Sequence, residues 1–220
     1  MARASKKSNK LLRRLVIIAV LVVLILTVRL VEDIGFDRHP DDRFTIVRIL
    51  DGDTVELLGG DRLRLLSIDT PEKDEPFYEE AKSLVGDLGL NRVAKIEYTS
   101  ARRDRYGRLL GYLYIDSLFV NKAILENGLG YLYLFKDEDL RRPETSQLLA
   151  AQRRAMDRKI GVWSLPRRSE EYYIAKSGSF RLHRPGCSSV AELKEGTYRR
   201  FKTREEGLRE GLSPCRNCKP

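Results

Sequence analysis

FTIVRILDGDTVELLGGDRLRLLSID, residues 44–69, is the stretch on which the fold turns. Residues 44–50 and 54–58 are rich in β-branched and long apolar side chains and flank the turn-prone Asp51-Gly52-Asp53. Gly59-Gly60-Asp61 is a second turn signal and leads into a third apolar run, 62–68. Three strands in series follow from this pattern. Arg64 stands among Leu63, Leu65, Leu66 and Ile68, and a charge at such a position calls for a partner. Strict alternation would send Arg64 and Asp69, five residues apart, to opposite faces. If both serve one site, the strand has to end or bulge before Asp69.

Outward from this core, residues 77–90 carry Ala81, Leu84, Val85 and Leu88 on one face at helical spacing. Residues 93–98 and 109–115 read as further strands. Residues 120–126 read as a short helix stopped by Asn127-Gly128, and 144–159 as a longer one followed by 160–163. Strands of this length with a helix after the third predict an α+β fold, mainly β. The expected architecture is a five-stranded OB-fold barrel with about three helices over residues 44–165. Residues 166–170 read as a linker, and 171–220 as a small Cys/His module.

The N-terminus carries a different signal. Seven of the 41 basic residues fall within positions 1–29, without an acidic residue, so the remaining 191 residues have a net charge of only +2. The basic balance is an N-terminal address rather than a nucleic-acid footprint. Six of these charges form the basic tail 1–14 and precede the nearly uninterrupted apolar run 15–28. With Arg29 snorkelling, the helix extends to Val31, about 25 Å at roughly 1.5 Å per residue. We expect a transmembrane signal-anchor at 15–31, a polar stalk at 32–43, a cytoplasmic tail and an extracytoplasmic remainder. The alternative is a signal peptide that is cleaved, with secretion of the rest.

Absences restrict the chemistry. The two histidines are His39 and His183, and all three cysteines lie in the last 34 residues. The region 44–165 therefore contains no Ser-His-Asp triad, no Cys-His pair and no histidine to act as acid, base or zinc ligand. It does contain Asp51, Asp53, Asp69 and Glu72, with Arg64, Arg105 and Arg108. Carboxylate clusters hold hard divalent cations, and guanidinium forks hold phosphate oxygens. The combination points to metal-assisted cleavage of a phosphodiester.

Four strings in order, Asp51-Gly-Asp53-Thr54-Val55, Arg64-Leu-Leu-Ser-Ile-Asp69-Thr70-Pro71-Glu72, Asp104-Arg105-Tyr106-Gly107-Arg108 and Gly161-Val-Trp163-Ser164, resemble those of the staphylococcal nuclease (thermonuclease) family. The resemblance covers residues 44–165. It implies a calcium ion held by carboxylates of Asp53 and Asp69 and the backbone carbonyl of Thr70, with Asp51 either a more distant ligand or a turn residue. It implies Glu72 as the base that orients or deprotonates the attacking water. Arg64 and Arg108 would clamp the phosphate. Arg105, Tyr106, Tyr131 and Tyr133 would contact substrate, DNA and/or RNA, and endonucleolytic cleavage would leave 3′-phosphates. The rival reading is a non-catalytic nucleic-acid-binding OB-fold adaptor tethered to the membrane.

In the last fifty residues, His183-x3-Cys187 and Cys215-x2-Cys218 form knuckle-like pairs suited to structural zinc. The framing Ser213-Pro-Cys-Arg-Asn-Cys-Lys-Pro220 resembles small Ada-like metal-binding modules. A Cys215–Cys218 disulfide with Cys187 left over is the alternative.

Overall fold

The computed structural model describes residues 16–25, 43–135 and 137–220. The chain divides into two compact units, 1–41 and 42–220. In the first, residues 16–25 form an exposed helix, α1. Among the described residues no helix is long and apolar enough to cross a membrane. The expected tail 1–14, the ends of the expected span 15–31 and all but the last residue of the expected stalk 32–43 lie outside the described residues.

In the second unit, β1 (Arg43–Ile49), β2 (Thr54–Leu57) and β3 (Arg62–Leu65) form an antiparallel meander. A helix, α2 (Tyr78–Gly89), then leads to β5 (Val93–Arg103), which pairs with β1 and with β6 (Leu109–Ile115). The ring closes because β6 also pairs, in parallel, with β3. Alternation explains the interior. Val55, Leu57, Leu63, Leu65, Ile96 and Leu113 are buried, while Arg62, Arg64 and Glu56 take the other face. This is the expected five-stranded barrel.

β3 ends at Leu65, and Ser67 adopts a left-handed conformation (φ 59°) before β4 (Ile68–Asp69) begins. The two turn residues between β3 and β4, Leu66 and Ser67, break the alternation and allow the Arg64 and Asp69 side chains to reach one place. β5 runs five residues beyond the expected 93–98. Its outer end, polar and exposed, re-pairs after a register shift, with Arg103 opposite Leu109. Arg103 is held there by ion pairing to Asp61 at 2.9 Å.

The barrel is followed by β7 (Leu118–Phe119), α3 (Val120–Glu126), β8 (Tyr131–Leu132) and α4 (Pro143–Arg158). Pro143 suits the first turn of α4, and Lys159 in left-handed geometry closes it. β8 pairs with β4, setting Asp69 opposite Tyr131.

The last fifty residues form β9 (Tyr173–Lys176), β10 (Arg181–Leu182), β11 (Tyr198–Phe201), α5 (Arg204–Arg209) and β12 (Ser213–Pro214). β9 pairs with β11, and β10 with β12. Their apolar side chains, among them Tyr173, Leu182, Phe201, Leu208 and Leu212, belong to the same core as the barrel. Gln152 of α4 stitches the two parts together. Its oxygen accepts from the Leu132 N–H (2.7 Å) and its nitrogen donates to the Leu208 carbonyl (2.8 Å). α5 was not anticipated from the sequence, although Thr203 caps it by accepting from the Glu206 N–H at 3.1 Å.

Candidate active site

The turn between β1 and β2 presents Asp53. Its N–H donates to Asp51 Oδ1 (3.0 Å), which forms the turn. Its own carboxylate reaches across to the segment after β4, where Oδ2 accepts from the Thr70 N–H (3.1 Å) and hydroxyl (3.3 Å). Gly52 permits this approach. A Cβ there would lie 2.7 Å from Ala81 Cβ and 2.8 Å from Thr70 Oγ1. Asp53 is buried, and burial pushes its carboxyl up to about 6 from an ordinary 3.8, against the pull of Arg64.

Arg64 Nη2 sits 2.9 Å from Asp53 Oδ2 and 3.2 Å from Asp69 Oδ1. One guanidinium nitrogen thus lies between two carboxylates that face a common centre. Such an all-oxygen donor set, with the Thr70 carbonyl beside it in sequence, fits a hard divalent cation such as calcium. Burial of Asp53 favours the arrival of a counter-charge.

Arg108 is positioned by Asp104, a residue not singled out for the site from the sequence. Asp104 Oδ2 accepts from Arg108 Nε (2.8 Å), and Oδ1 accepts from the backbone N–H of Tyr106 (2.9 Å) and of Arg108 (3.0 Å). Partial burial works upward on the Asp104 carboxyl, but these donors outweigh it and hold the group below the usual carboxylate range. The exposed Tyr106 ring lies against Arg105 and Arg108, with guanidinium carbons 4.8 and 5.7 Å from its centroid.

A polar cavity of about 160 Å³ joins Asp51, Asp53, Arg64, Thr70, Glu72 and Arg108. Glu72 is solvent-facing (67% side-chain exposure). A wider adjoining cavity of about 690 Å³ is lined by Arg64, Asp69, Arg105, Tyr106, Arg108 and Tyr133. Tyr133 lies in it beneath the Arg181 guanidinium, 3.5 Å from the ring centroid. Tyr131 is placed elsewhere. Its hydroxyl accepts from Arg167 (3.3 Å) and Arg204 (3.4 Å), and it lines a third cavity, of about 530 Å³, on the far side of the 69–72 segment.

Sequence reasoning missed Arg216. Its Nη2 is 2.6 Å from Asp69 Oδ1 and 3.3 Å from Glu72 Oε1, and it lines all three cavities. Beside it, Lys219 pairs with Glu75. The only sequence signal was its place between Cys215 and Cys218. His183, Cys187, Cys215 and Cys218 come together with their ligand atoms within 4.8 Å of one another, a group able to hold a metal ion.

Known proteins match part of this chain. The staphylococcal nuclease homologue family matches residues 62–165. A micrococcal nuclease of Shigella flexneri is 29% identical over 144 residues, covering 60% of this chain and 79% of that protein. An uncharacterized endonuclease of Escherichia coli is 32% identical over 123 residues, with 54% and 75% covered. A thermonuclease of Staphylococcus hyicus is 24% identical over 164 residues, with 67% and 95% covered.

Proposed function

The chain belongs to the staphylococcal nuclease homologue family, and from that premise we propose a calcium-dependent endonuclease, anchored in the membrane by residues 15–31 with its catalytic unit outside the cytoplasm. It is a hydrolase acting on nucleic acids. The observation that carries the finer reading is the convergence of Asp53, Arg64, Glu72 and Arg108 on one small polar cavity, with Asp69 bridged to it by Arg64.

In this reading Asp53, Asp69 and the Thr70 carbonyl would hold calcium, which would supply positive charge to offset that on the phosphate. Glu72 orients a water and takes its proton as the water oxygen attacks phosphorus. The bond from phosphorus to the 5′-oxygen breaks, and that oxygen takes a proton from solvent water, leaving a 3′-phosphate and a 5′-hydroxyl. Arg64 and Arg108 bind the non-bridging oxygens and stabilise the charge of the five-coordinate transition state. Asp104 keeps the Arg108 fork in place. Arg105, Tyr106 and Tyr133 contact neighbouring nucleotides, and Tyr131 lies on the rim beyond the 69–72 segment. The Cys/His group of residues 171–220, with its Ada-like framing, is read as a structural zinc site.

The test incubates residues 42–220, one compact unit, with plasmid DNA and with RNA, in calcium or chelator, beside Glu72→Gln. The expected result is calcium-dependent degradation that falls by about 10²–10⁴-fold in the variant. Equal activity in chelator would remove the metal, equal activity in the variant would remove Glu72, and binding without cleavage would favour the adaptor.

A further inference from the structure

We propose that the Cys/His cluster binds a tetrahedral metal ion and thereby fixes Arg216 in the cleavage cavity as a third phosphate-binding guanidinium. The inference rests on the nuclease reading above and adds a substrate ligand supplied by the C-terminal segment, together with the metal that holds it there.

The metal half stands on two independent observations. Cys187 Sγ and Cys215 Sγ are 4.0 Å apart. That is close to the roughly 3.8 Å edge of a tetrahedron built on bonds of about 2.3 Å, and far from the roughly 2.05 Å of a disulfide. His183 is only 6% exposed, and its Nδ1 is buried without a hydrogen-bond partner. An orphaned imidazole nitrogen beside three sulfurs is unusual unless an ion takes it up. Three thiolates with one imidazole suit zinc. The Arg184 N–H donates to Cys218 Sγ at 3.4 Å, an outer contact of the kind that orients thiolate ligands.

The Arg216 half follows from where those ligands sit. Cys215 and Cys218 bracket Arg216 and Asn217. The turn is closed by the Lys219 N–H donating to the Cys215 carbonyl (2.8 Å) and tied down by Asn217 donating to Ser189 Oγ (2.8 Å). Metal ligation would fix the backbone on both sides of Arg216 and so hold the base of its side chain within reach of Asp69 and Glu72. Its two acidic contacts both use Nη2, so the Nε and Nη1 N–H groups are not engaged by these acids and can each donate to a phosphate oxygen. Of the three cavity arginines it is the most accessible, with 58% side-chain exposure against 15% for Arg64 and 32% for Arg108. Its contact with Glu72, with both side chains more than half exposed, stabilises the fold little. It rests on the acids until a phosphodiester enters.

The test uses the full chain and four variants, Arg216→Ala, Arg216→Lys, Cys215→Ser and the Arg216→Ala/Cys215→Ser double, with Glu72→Gln as control. Cobalt(II) titration, read by the visible bands of tetrahedral thiolate coordination, should give one site in the wild type and in Arg216→Ala, and none in Cys215→Ser. Cleavage in saturating calcium should show kcat/KM falling about 10- to 100-fold in Arg216→Ala, with partial recovery in Arg216→Lys. The slope of log KM against log salt should drop by about one phosphate contact. Cys215→Ser should lose as much as Arg216→Ala, and the double variant no more than either.

Absence of the cobalt bands would overturn the metal. Wild-type kinetics and salt slope in Arg216→Ala would overturn the phosphate contact, and a faster Arg216→Ala would make the residue a plug instead. Additive losses in the double variant would overturn the coupling. Full activity in Glu72→Gln would instead remove Glu72 from the parent reading, and nucleic-acid binding without cleavage by the wild type would sink the nuclease reading itself.

Discussion

At Asp53 two requirements oppose each other. The carboxylate must be charged to hold a cation, yet burial pushes its pKa up to about 6. The folded value lies above the ordinary 3.8, so the stabilising contribution is fully present below about 3.8 and is lost as pH rises through about 6. In chelator the fold should therefore be more stable near pH 4 than near pH 7, as far as this group is concerned. Asp53→Asn should raise the neutral-pH melting temperature while abolishing calcium-dependent cleavage, and thermal melts of the two proteins at both pH values check this. With calcium the proton becomes a competitor. Calcium affinity should fall as pH drops through about 6, which isothermal titration across that range would measure. Unchanged affinity would mean that Asp53 is not a ligand.

Asp104 matters at the same scale through Arg108. Replacing Asp104 by Ala removes one acceptor from Arg108 Nε and one from two backbone N–H groups. Cleavage should fall by about 10-fold or more as the guanidinium loses its fixed position, and kcat should carry most of the loss. These residues were legible to different degrees. Asp53, Arg64, Asp69, Glu72 and Arg108 sit in short strings whose spacing is itself the signal. Asp104 lies in one of those strings, but its role is a hydrogen-bonding direction, which spacing does not encode.

Between elements, the decisive joints are turns and one buried amide. The left-handed Ser67 between β3 and β4 brings Arg64 and Asp69 within 3.2 Å, although five residues of ideal strand would separate their faces. The need for such a break was deducible from the odd spacing, but its form was not. Gln152 bridges β8 and α5 from α4. Gln152→Leu would keep the volume and take the Gln152 acceptor from the buried Leu132 N–H, while the Leu208 carbonyl would keep its bond from the Gly211 N–H at 3.2 Å. We expect a loss of roughly 1–3 kcal/mol in urea unfolding, the cost of one such buried group left unpaired. A change below about 1 kcal/mol would mean that this N–H finds another partner. The strand and helix pattern was readable because periods of two and 3.6 repeat locally. The outer half of β5 was not, because its polar residues 99–103 carry no apolar alternation and are held by long-range pairing to β6 and Asp61.

Across residues 42–220, the larger of two buried clusters runs through both the barrel and the last fifty residues, and a small second one surrounds Cys187 and Cys215. Trp163, the only tryptophan, stands near the seam, with the Arg204 guanidinium carbon 5.6 Å from its ring centroid. Unfolding of this unit should therefore be one cooperative transition, with Trp163 fluorescence and far-UV circular dichroism coincident. Two separated transitions would show that the C-terminal segment folds on its own. Deleting residues 171–220 should yield a destabilised barrel rather than an intact one lacking a tag, because the faces that pack on Leu182, Phe201 and Leu208 would be bared to water.

The amino-acid order alone determined the barrel class, the order of its strands and the acids and arginines expected at the site, because each rests on patterns that repeat or cluster within a few residues. It also marked four candidate metal-ligand side chains by their paired spacing. What only the tertiary structure decided was which distant groups meet: Arg216 against Asp69, 147 residues away, Tyr133 in the arginine-lined cavity while Tyr131 turns from it, and the C-terminal segment fused into the barrel core. Those meetings depend on closing long loops against a shared apolar interior, a global balance of burial and chain entropy that no local string records.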